Sequence, residues 1–247
     1  MSFYTTVCLP DRVEVITDGA AWDRDGVVRR FSRKIYAVPG FPAAVTTRGH
    51  CATAENVTAS IIRLFERAGS YDRAMEILAQ IVPTLPSHMR SDNHIEVVIA
   101  GMSEILGPVT HVWATRAPAD GMEAFTLVSS HRGFICGNEI APDQHAKIAF
   151  CGGLRRGAVE MVDFFRRTAD PSVRVEGMPS DGRLPIGGHV DLTTVRADGV
   201  TTERLHTYAE DRVGERIDPF ASDPSVTSLM TRAERRRLAK TQKRAVA

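Results

Sequence analysis

Strand-forming runs and helical patterns are grouped into blocks along this chain, and that grouping constrains the fold more than any other feature. Two hairpin patterns come first, followed by two helical patterns, further strand patterns, one more helix and a last hairpin. Strict alternation of strand and helix would favour a parallel sheet, whereas grouped elements favour antiparallel sheets with helices packed outside them. The sequence therefore predicts an α+β fold.

The first fifty residues contain two hairpin patterns. Short β-rich runs at residues 3–9 and 12–17 flank Pro10-Asp11, and runs at residues 31–38 and 43–47 flank a second proline-containing turn. Proline has no N–H to donate to a sheet, so it marks the turns. A turn centred on Pro10 places Ser2 opposite Asp18.

The remaining elements follow from periodicity and turn residues. Apolar residues at helical spacing predict two helices between residues 54 and 82 and a third after Gly152-Gly153. Strands are predicted at residues 94–102, 109–117, 124–131 and 147–151, and an irregular loop at 169–188. Asp198-Gly199 is a strong hairpin signal and joins two last strands, at residues 189–197 and 200–208.

Length and composition indicate one globular domain with an appendage. The chain has 247 residues, of which 43% are hydrophobic, enough for a single core. It has no apolar run of about 18 to 20 residues that could cross a membrane and no visible secretory signal, so we expect a cytoplasmic protein. The predicted domain covers residues 1–220, and residues 221–247 form a basic tail with a possible amphipathic helix.

Charge and side-chain spacing exclude several functions. The tail holds seven Lys or Arg and two acids, and the whole chain has a net charge of +1, so residues 1–220 carry about −4. A domain with this charge is not expected to bind nucleic acid. The four cysteines and eight histidines show no metal-ligand spacing. Gly152-Gly153 opens a helix without the G-x-G-x-x-G pattern of nucleotide-binding turns. We predict no metal and no cofactor.

Two intervals near the chain start suggest a catalytic site. Asp18 follows Ser2 by 16 residues and Lys34 follows it by 32. With these intervals, residues 2–208 resemble the proteasome β-subunit family and its bacterial proteasome-like peptidase, which are N-terminal-nucleophile hydrolases. The resemblance implies a four-layer αββα sandwich of two antiparallel sheets flanked by helices. In that family the first residue of the mature chain is the nucleophile, and an Asp and a Lys stand at these intervals.

The resemblance also assigns roles. Removal of Met1 would expose the Ser2 amine, and an α-amine with a pKa of about 7.7 to 8.0 can take the proton of the serine hydroxyl. Lys34 would tune that amine, and Asp18 would orient Lys34. Backbone amides near Thr46 or Thr47 would bind the oxyanion. Cys151 stands where the family has a serine that helps to position the amine.

Departures from the family keep other functions open. Thr46 replaces a glycine, the family's supporting Asp and Ser are missing before the closing hairpin, and a loop replaces a helix. Thr5-Thr6 is a rival nucleophile if cleavage follows Tyr4. The chain is either a hydrolase of peptide or related amide bonds, a small-molecule amidase, or a catalytically silent, self-assembling subunit. The resemblance further implies a homo-oligomer, a ring in the family, and an ATPase partner.

Overall fold

Thirteen strands and four α-helices make up the part of the chain that the computed structural model describes, residues 3–23, 25–85, 94–117, 122–168 and 185–220. The strands are β1 (Tyr4–Leu9), β2 (Arg12–Asp18), β3 (Ala20–Trp22), β4 (Val28–Phe31), β5 (Ile35–Ala37), β6 (Ala43–Gly49), β7 (Ile95–Ser103), β8 (Gly107–Ala114), β9 (Val128–Ser130), β10 (Phe134–Ile135), β11 (Asn138–Glu139), β12 (His189–Arg196) and β13 (Gly199–Thr207). The helices are α1 (Cys51–Ala68), α2 (Tyr71–Ile81), α3 (Pro142–Phe150) and α4 (Ala158–Arg167).

The strands form three antiparallel sheets, which confirms the predicted α+β class. A six-stranded sheet has the order β11-β10-β1-β2-β12-β13, and a five-stranded sheet has the order β5-β6-β7-β8-β9. A small two-stranded sheet joins β3 to β4. The closing hairpin β12-β13 turns at the predicted Asp-Gly pair and lies against β2, so the two ends of the domain are neighbours in one sheet.

The first hairpin has a different register from the predicted one. Tyr4 lies opposite Thr17, and the turn consists of two residues rather than one. The expectation that Ser2 lies opposite Asp18 is therefore wrong by one position. Phe3 is the neighbour of Asp18 across the hairpin, since its C=O accepts the Asp18 N–H at 3.4 Å.

The strand predicted at residues 31–38 is broken. Phe31 ends β4, Ile35 begins β5, and the three residues between them are not in a strand. The Ser32 N–H donates to the Gly19 C=O at 2.9 Å, which ties this break to the end of β2. The break matters for function because it contains Lys34.

The first two helices lie where periodicity places them. Helix α1 ends at Gly69, whose φ of 75° is left-handed and suits glycine. The Ser70 side chain caps α2 by accepting the Arg73 N–H at 3.2 Å. Their apolar faces pack on the five-stranded sheet in a cluster that includes Phe65 and Tyr71.

The strand predicted at residues 147–151 is wrong, because this segment belongs to α3. Pro142 stands in the first turn, where its missing N–H costs nothing, and Asp143 follows it. Four apolar residues in a row, 148–151, do not distinguish a strand from a helix by periodicity. Of the strand predicted at 124–131 only β9 forms. The strands β3, β10 and β11 were not predicted.

Two further contact regions complete the core. Helix α4 packs on the six-stranded sheet through Ala158 and Val162, against residues of β1, β2 and β12. The two large sheets contact each other through Val13 and Val15 on one side and Ala44 on the other. Among the described helices, none is long and apolar enough to cross a membrane.

By its contacts the chain divides into two units, residues 1–217 and 218–247. Of the second unit the structure describes residues 218–220, where the Phe220 N–H donates to Asp218 at 3.0 Å. The predicted helical tail at 221–247 lies outside the described residues. Of the predicted loop at 169–188 the structure describes residues 185–188, which are in neither a helix nor a strand.

Candidate active site

Asp18 and Lys34, which the sequence singles out by their spacing, form a buried ion pair. The Lys34 Nζ donates to Asp18 Oδ1 at 2.7 Å, and the two side chains are 8% and 0% exposed. Asp18 ends β2, and Lys34 directly precedes β5. The break between β4 and β5 thus brings the ammonium to the carboxylate.

Burial lowers the pKa of the Lys34 ammonium from its ordinary value, and the Asp18 carboxylate opposes that shift. The net direction is downward because desolvation of a cation outweighs one carboxylate here. A buried ammonium also acts on nearby groups as a poorly screened positive charge. The pair can therefore favour the neutral form of an adjacent amine and stabilise negative charge that develops beside it.

Three backbone amides hold the Asp18 carboxylate in place. The Phe3 N–H donates to Oδ1 at 2.9 Å. The Ala20 and Gly187 N–H groups donate to Oδ2, each at 3.3 Å. Together with Lys34 these donors use both carboxylate oxygens, so the side chain has a fixed orientation.

The predicted nucleophile, Ser2, lies outside the described residues. Its covalent neighbour Phe3 is 1% exposed and binds Asp18 through the backbone amide. The residue just before β1 therefore binds the ion pair.

The rival nucleophile Thr5 lies elsewhere. It is the second residue of β1, 0% exposed and opposite Ile16, and its hydroxyl donates to the Met161 sulfur at 3.4 Å. The Thr6 hydroxyl accepts the Phe134 N–H at 2.8 Å. Both hydroxyls are engaged in packing, and neither contacts Lys34 or Asp18 among the described contacts.

Thr46 and Thr47, the predicted oxyanion segment, lie on β6 beside the ion pair. The Val38 N–H donates to the Ala43 C=O at 2.8 Å, and hydrogen-bonded positions alternate along an antiparallel pair. Every second residue of β6 counted from Ala43 therefore faces β5, and Thr47 is one of them, so its N–H is directed to the β5 side. Since the first residue of β5 lies opposite Thr46, the Thr47 amide points past the end of β5, toward Lys34.

Cys151 is not brought to the ion pair. It is exposed after the last turn of α3, and the C=O of its neighbour Gly152 accepts from Arg12 at 2.7 Å. Arg12 begins β2 and Asp18 ends it, so about 20 Å of strand separates the two sites. The predicted role of Cys151 depended on the strand at 147–151, which is absent.

A small cleft opens beside Lys34. Its volume is about 80 Å³, and it is lined by β3, the break before β5, the end of β6 and the first two turns of α1. Thr47 and Cys51 are on its wall. Sequence reasoning missed this cleft because β3 and the start of α1 carry no motif.

A buried network that the sequence did not reveal supports Asp18 from the C-terminal side. Arg166 of α4 donates from both terminal nitrogens to Asp211, each at 2.6 Å, and to the Ile186 C=O at 3.0 Å. Asp211 also accepts the Gly188 N–H at 2.6 Å. The network fixes the segment whose Gly187 amide binds Asp18. A Cβ on Gly187 would lie 2.2 Å from Asp211 and 2.3 Å from Arg166, so this position needs glycine.

Before the closing hairpin, where the resemblance implies a supporting Asp and Ser, the structure provides the Gly187 amide to Asp18. The acid nearest to them in sequence, Asp181, lies outside the described residues, as do Arg183 and Leu184. Pro185 and Ile186 are described, and they lead directly into the segment that Arg166 binds. Support for Asp18 comes from a backbone amide.

We expect Arg166→Met to destabilise the protein by about 3 to 5 kcal/mol, because it leaves the buried Asp211 carboxylate without its cation. Urea unfolding followed by circular dichroism measures this loss. Arg155→Met is the matched control, since Arg155 pairs with Glu203 on the surface and exposed pairs are worth about 0 to 1 kcal/mol. Equal losses in the two variants would contradict a structural role for the network.

A second buried network lies beside the site. The Tyr4 hydroxyl and the Arg48 guanidinium both donate to Glu96, which is 0% exposed, and Tyr4 accepts the Gly137 N–H at 2.7 Å. Burial and the Glu96 charge raise the pKa of Tyr4. Tyr4 follows Phe3 and Arg48 follows Thr47, so the network fixes β1 against β6 next to the ion pair.

Other buried charged pairs of the described chain, including His189–Asp191 at 3.2 Å, do not line the cleft beside Lys34. A groove of about 750 Å³ lies between α1 and residues 78–85, and its only charged lining residues are Arg63 and Arg67. No group of three or more His, Cys, Asp or Glu suited to a metal ion occurs among the residues described. The Asp18–Lys34 pair is therefore the best candidate active site.

No protein-family model matches this chain, and no curated protein matches it.

Proposed function

We propose that this chain is a proteasome-like N-terminal-nucleophile hydrolase that cleaves peptide or related amide bonds. The observation that carries the proposal is the buried Asp18–Lys34 pair, whose carboxylate also binds the amide of Phe3, the residue after the candidate nucleophile. The observed carboxylate, cation and Phe3 amide lie together, and the amine of Ser2 would supply the base that such a mechanism requires. The proposed architecture is the four-layer αββα sandwich, with α1 and α2 outside one sheet and α3 and α4 outside the other.

The proposed reaction has two steps. After Met1 is removed, the Ser2 amine takes the proton of the Ser2 hydroxyl, whose oxygen attacks the substrate carbonyl carbon. The tetrahedral intermediate collapses, the C–N bond breaks, and the leaving amine receives that proton. Water, deprotonated by the same amine, then attacks the acyl-serine ester, which releases the acid and restores the hydroxyl.

The neighbouring groups have distinct tasks in this proposal. The Lys34 ammonium favours the neutral, basic form of the Ser2 amine, because two cations close together repel. Asp18 holds Lys34 in position. The Thr47 amide, directed past the end of β5, donates to the oxyanion of the tetrahedral intermediate, an interaction worth about 3 to 4 kcal/mol per donor in known cases.

A catalytically silent, self-assembling subunit of the same fold is the second candidate. Two observations favour it: Cys151 lies far from the ion pair, and Thr46 adds a side chain where the family has glycine. For both candidates we propose a homo-oligomer. The side chains of Phe150 in α3 and Phe164 in α4 support it, since they are 93% and 63% exposed. Such apolar side chains are candidates for contact with another subunit. A ring and an ATPase partner follow from the resemblance alone. An amidase for small molecules would use the same nucleophile.

The intact mass of the purified protein, measured together with amide hydrolysis, tests this function. We expect the mass of a chain without Met1 and release of amines from an unfolded protein substrate. A chain that retains Met1 has no free Ser2 amine, so this result would overturn the mechanism and leave the silent subunit. A mass that shows loss of residues 1–4 would make Thr5 the nucleophile instead of Ser2.

A further inference from the structure

The cleft beside Lys34 carries an excess of positive charge. Among its lining side chains, Arg30, Arg33 and Lys34 are cations, and Glu55 is the one carboxylate. Arg30 is bound to Glu55, and Lys34 is bound to Asp18. Two of the three cations are thereby neutralised within the protein.

Arg33 is the cation that remains. It is exposed, and no carboxylate pairs with it in the described ranges. It directly precedes Lys34, so its charge lies at the cleft wall adjacent to the candidate catalytic pair. An unpaired guanidinium at a cleft is available to a carboxylate from outside the protein.

The start of α1 adds to this positive field. Cys51 is the first residue of α1 and lines the cleft together with Ala54. The first turn contains no acid, and no side chain caps it within the described structure. Helix N-termini carry about half a positive charge and unsatisfied N–H groups. This helix end supplements Arg33 and is not a site by itself.

The size of the cleft limits what it can hold. Pockets for drug-sized ligands have volumes of roughly 300 to 1,000 Å³, whereas this cleft has about 80 Å³. It therefore suits one short side chain rather than a nucleotide. The Ser32 hydroxyl on its wall can donate to an anionic oxygen, whereas the Thr47 hydroxyl is hydrogen-bonded to that of Thr58 at 2.9 Å.

We infer that this cleft selects substrates with an acidic side chain next to the bond that is cleaved, and that Arg33 determines this preference. The inference rests on the proposed function, since it names the substrate class of the same site. It adds that the cleft favours Glu or Asp over neutral residues of equal size.

Two peptide amides that differ only in Glu or Gln before a fluorogenic amine test the inference. We expect kcat/KM to be about tenfold higher for the Glu peptide in low salt, the ratio given by ~1.4 kcal/mol. The preference should fall as NaCl is raised, because salt screens exposed charges. Equal rates for the two peptides in low salt would overturn the assignment.

Variants of Arg33 locate the preference. Arg33→Gln should reduce the ratio to about two or less, and Arg33→Glu should invert it, because the sign of the local charge changes. Arg29→Gln is the matched control: Arg29 pairs with Asp23 and does not line the cleft, so the tenfold ratio should persist. A ratio unchanged by Arg33→Glu would exclude Arg33 as the determinant.

A binding measurement separates this inference from the proposed function. In the Ser2→Ala protein, the Glu peptide carboxamide should slow alkylation of Cys51 by iodoacetamide severalfold, and the Gln peptide should not. The exposed Cys151 serves as the reference thiol. If the wild-type protein hydrolyses neither peptide, selective protection of Cys51 supports the inference while the proposed function fails. Equal protection by both peptides, or none, then overturns the inference. Hydrolysis without a Glu preference keeps the function and rejects the inference.

Discussion

Amide hydrolysis should disappear when Ser2 is replaced by alanine. The variant keeps the free amine, since alanine is also small enough for Met1 removal, and loses only the attacking oxygen. Loss of a serine nucleophile costs on the order of 10⁶-fold in kcat in a well-studied protease. Hydrolysis of a peptide anilide and the mass of the N-terminal peptide are measured together. Ser2→Thr, which keeps a hydroxyl, should retain activity.

Thr5→Val is the matched control for this experiment. Thr5 is three residues further along the chain, in β1, and its hydroxyl contacts Met161 instead of the ion pair. We expect Thr5→Val to hydrolyse the anilide at nearly the wild-type rate. Activity that survives Ser2→Ala, or that is lost in Thr5→Val with the fold intact, would refute Ser2 as the nucleophile.

Lys34→Met should reduce hydrolysis by orders of magnitude and also destabilise the fold. The substitution leaves the Asp18 carboxylate buried without its cation, which costs about 3 to 5 kcal/mol in comparable pairs. Activity falls for a different reason: the Ser2 amine loses the neighbouring charge that keeps it neutral near pH 7. Urea unfolding and anilide hydrolysis measure the two effects separately.

The double variant Asp18→Asn with Lys34→Met separates stability from catalysis. It removes both charges, and the Asn side-chain oxygen can still accept the Phe3 N–H. The Asn NH2 group cannot accept from Ala20 or Gly187, so only part of the lost stability should return. Activity should not return, because no cation remains beside the amine. If the double variant recovers both stability and hydrolysis, the ion pair has only a structural role.

Local sequence signals were sufficient for much of the fold. Hairpins and helices form between residues close in the chain, so the Asp-Gly turn and the periodicity of α1 and α2 gave correct elements. Asp18 and Lys34, which are 16 residues apart, are in contact even though the strand predicted around Lys34 is broken. The contact survives because the break is fixed at Gly19, one residue after Asp18.

Long-range contacts could not be predicted from the sequence. The Gly187 amide binds Asp18 across 169 residues of chain, and the Arg166–Asp211 pair joins a helix to an irregular segment without a motif. The short run at residues 147–151 was assigned to the wrong element because its four apolar residues fit either period. That error moved Cys151 into the predicted site, from which the structure separates it.

The Asp18 carboxylate receives donors from both ends of the domain, from Phe3 near its start and from Gly187 near its close. A ribosome therefore has to synthesise almost the whole domain before this carboxylate can gain its last partners. If Met1 is removed early in translation, the proposed site at Ser2 would remain inactive until then. In this arrangement the order of synthesis itself delays the proposed chemistry until the domain is nearly complete.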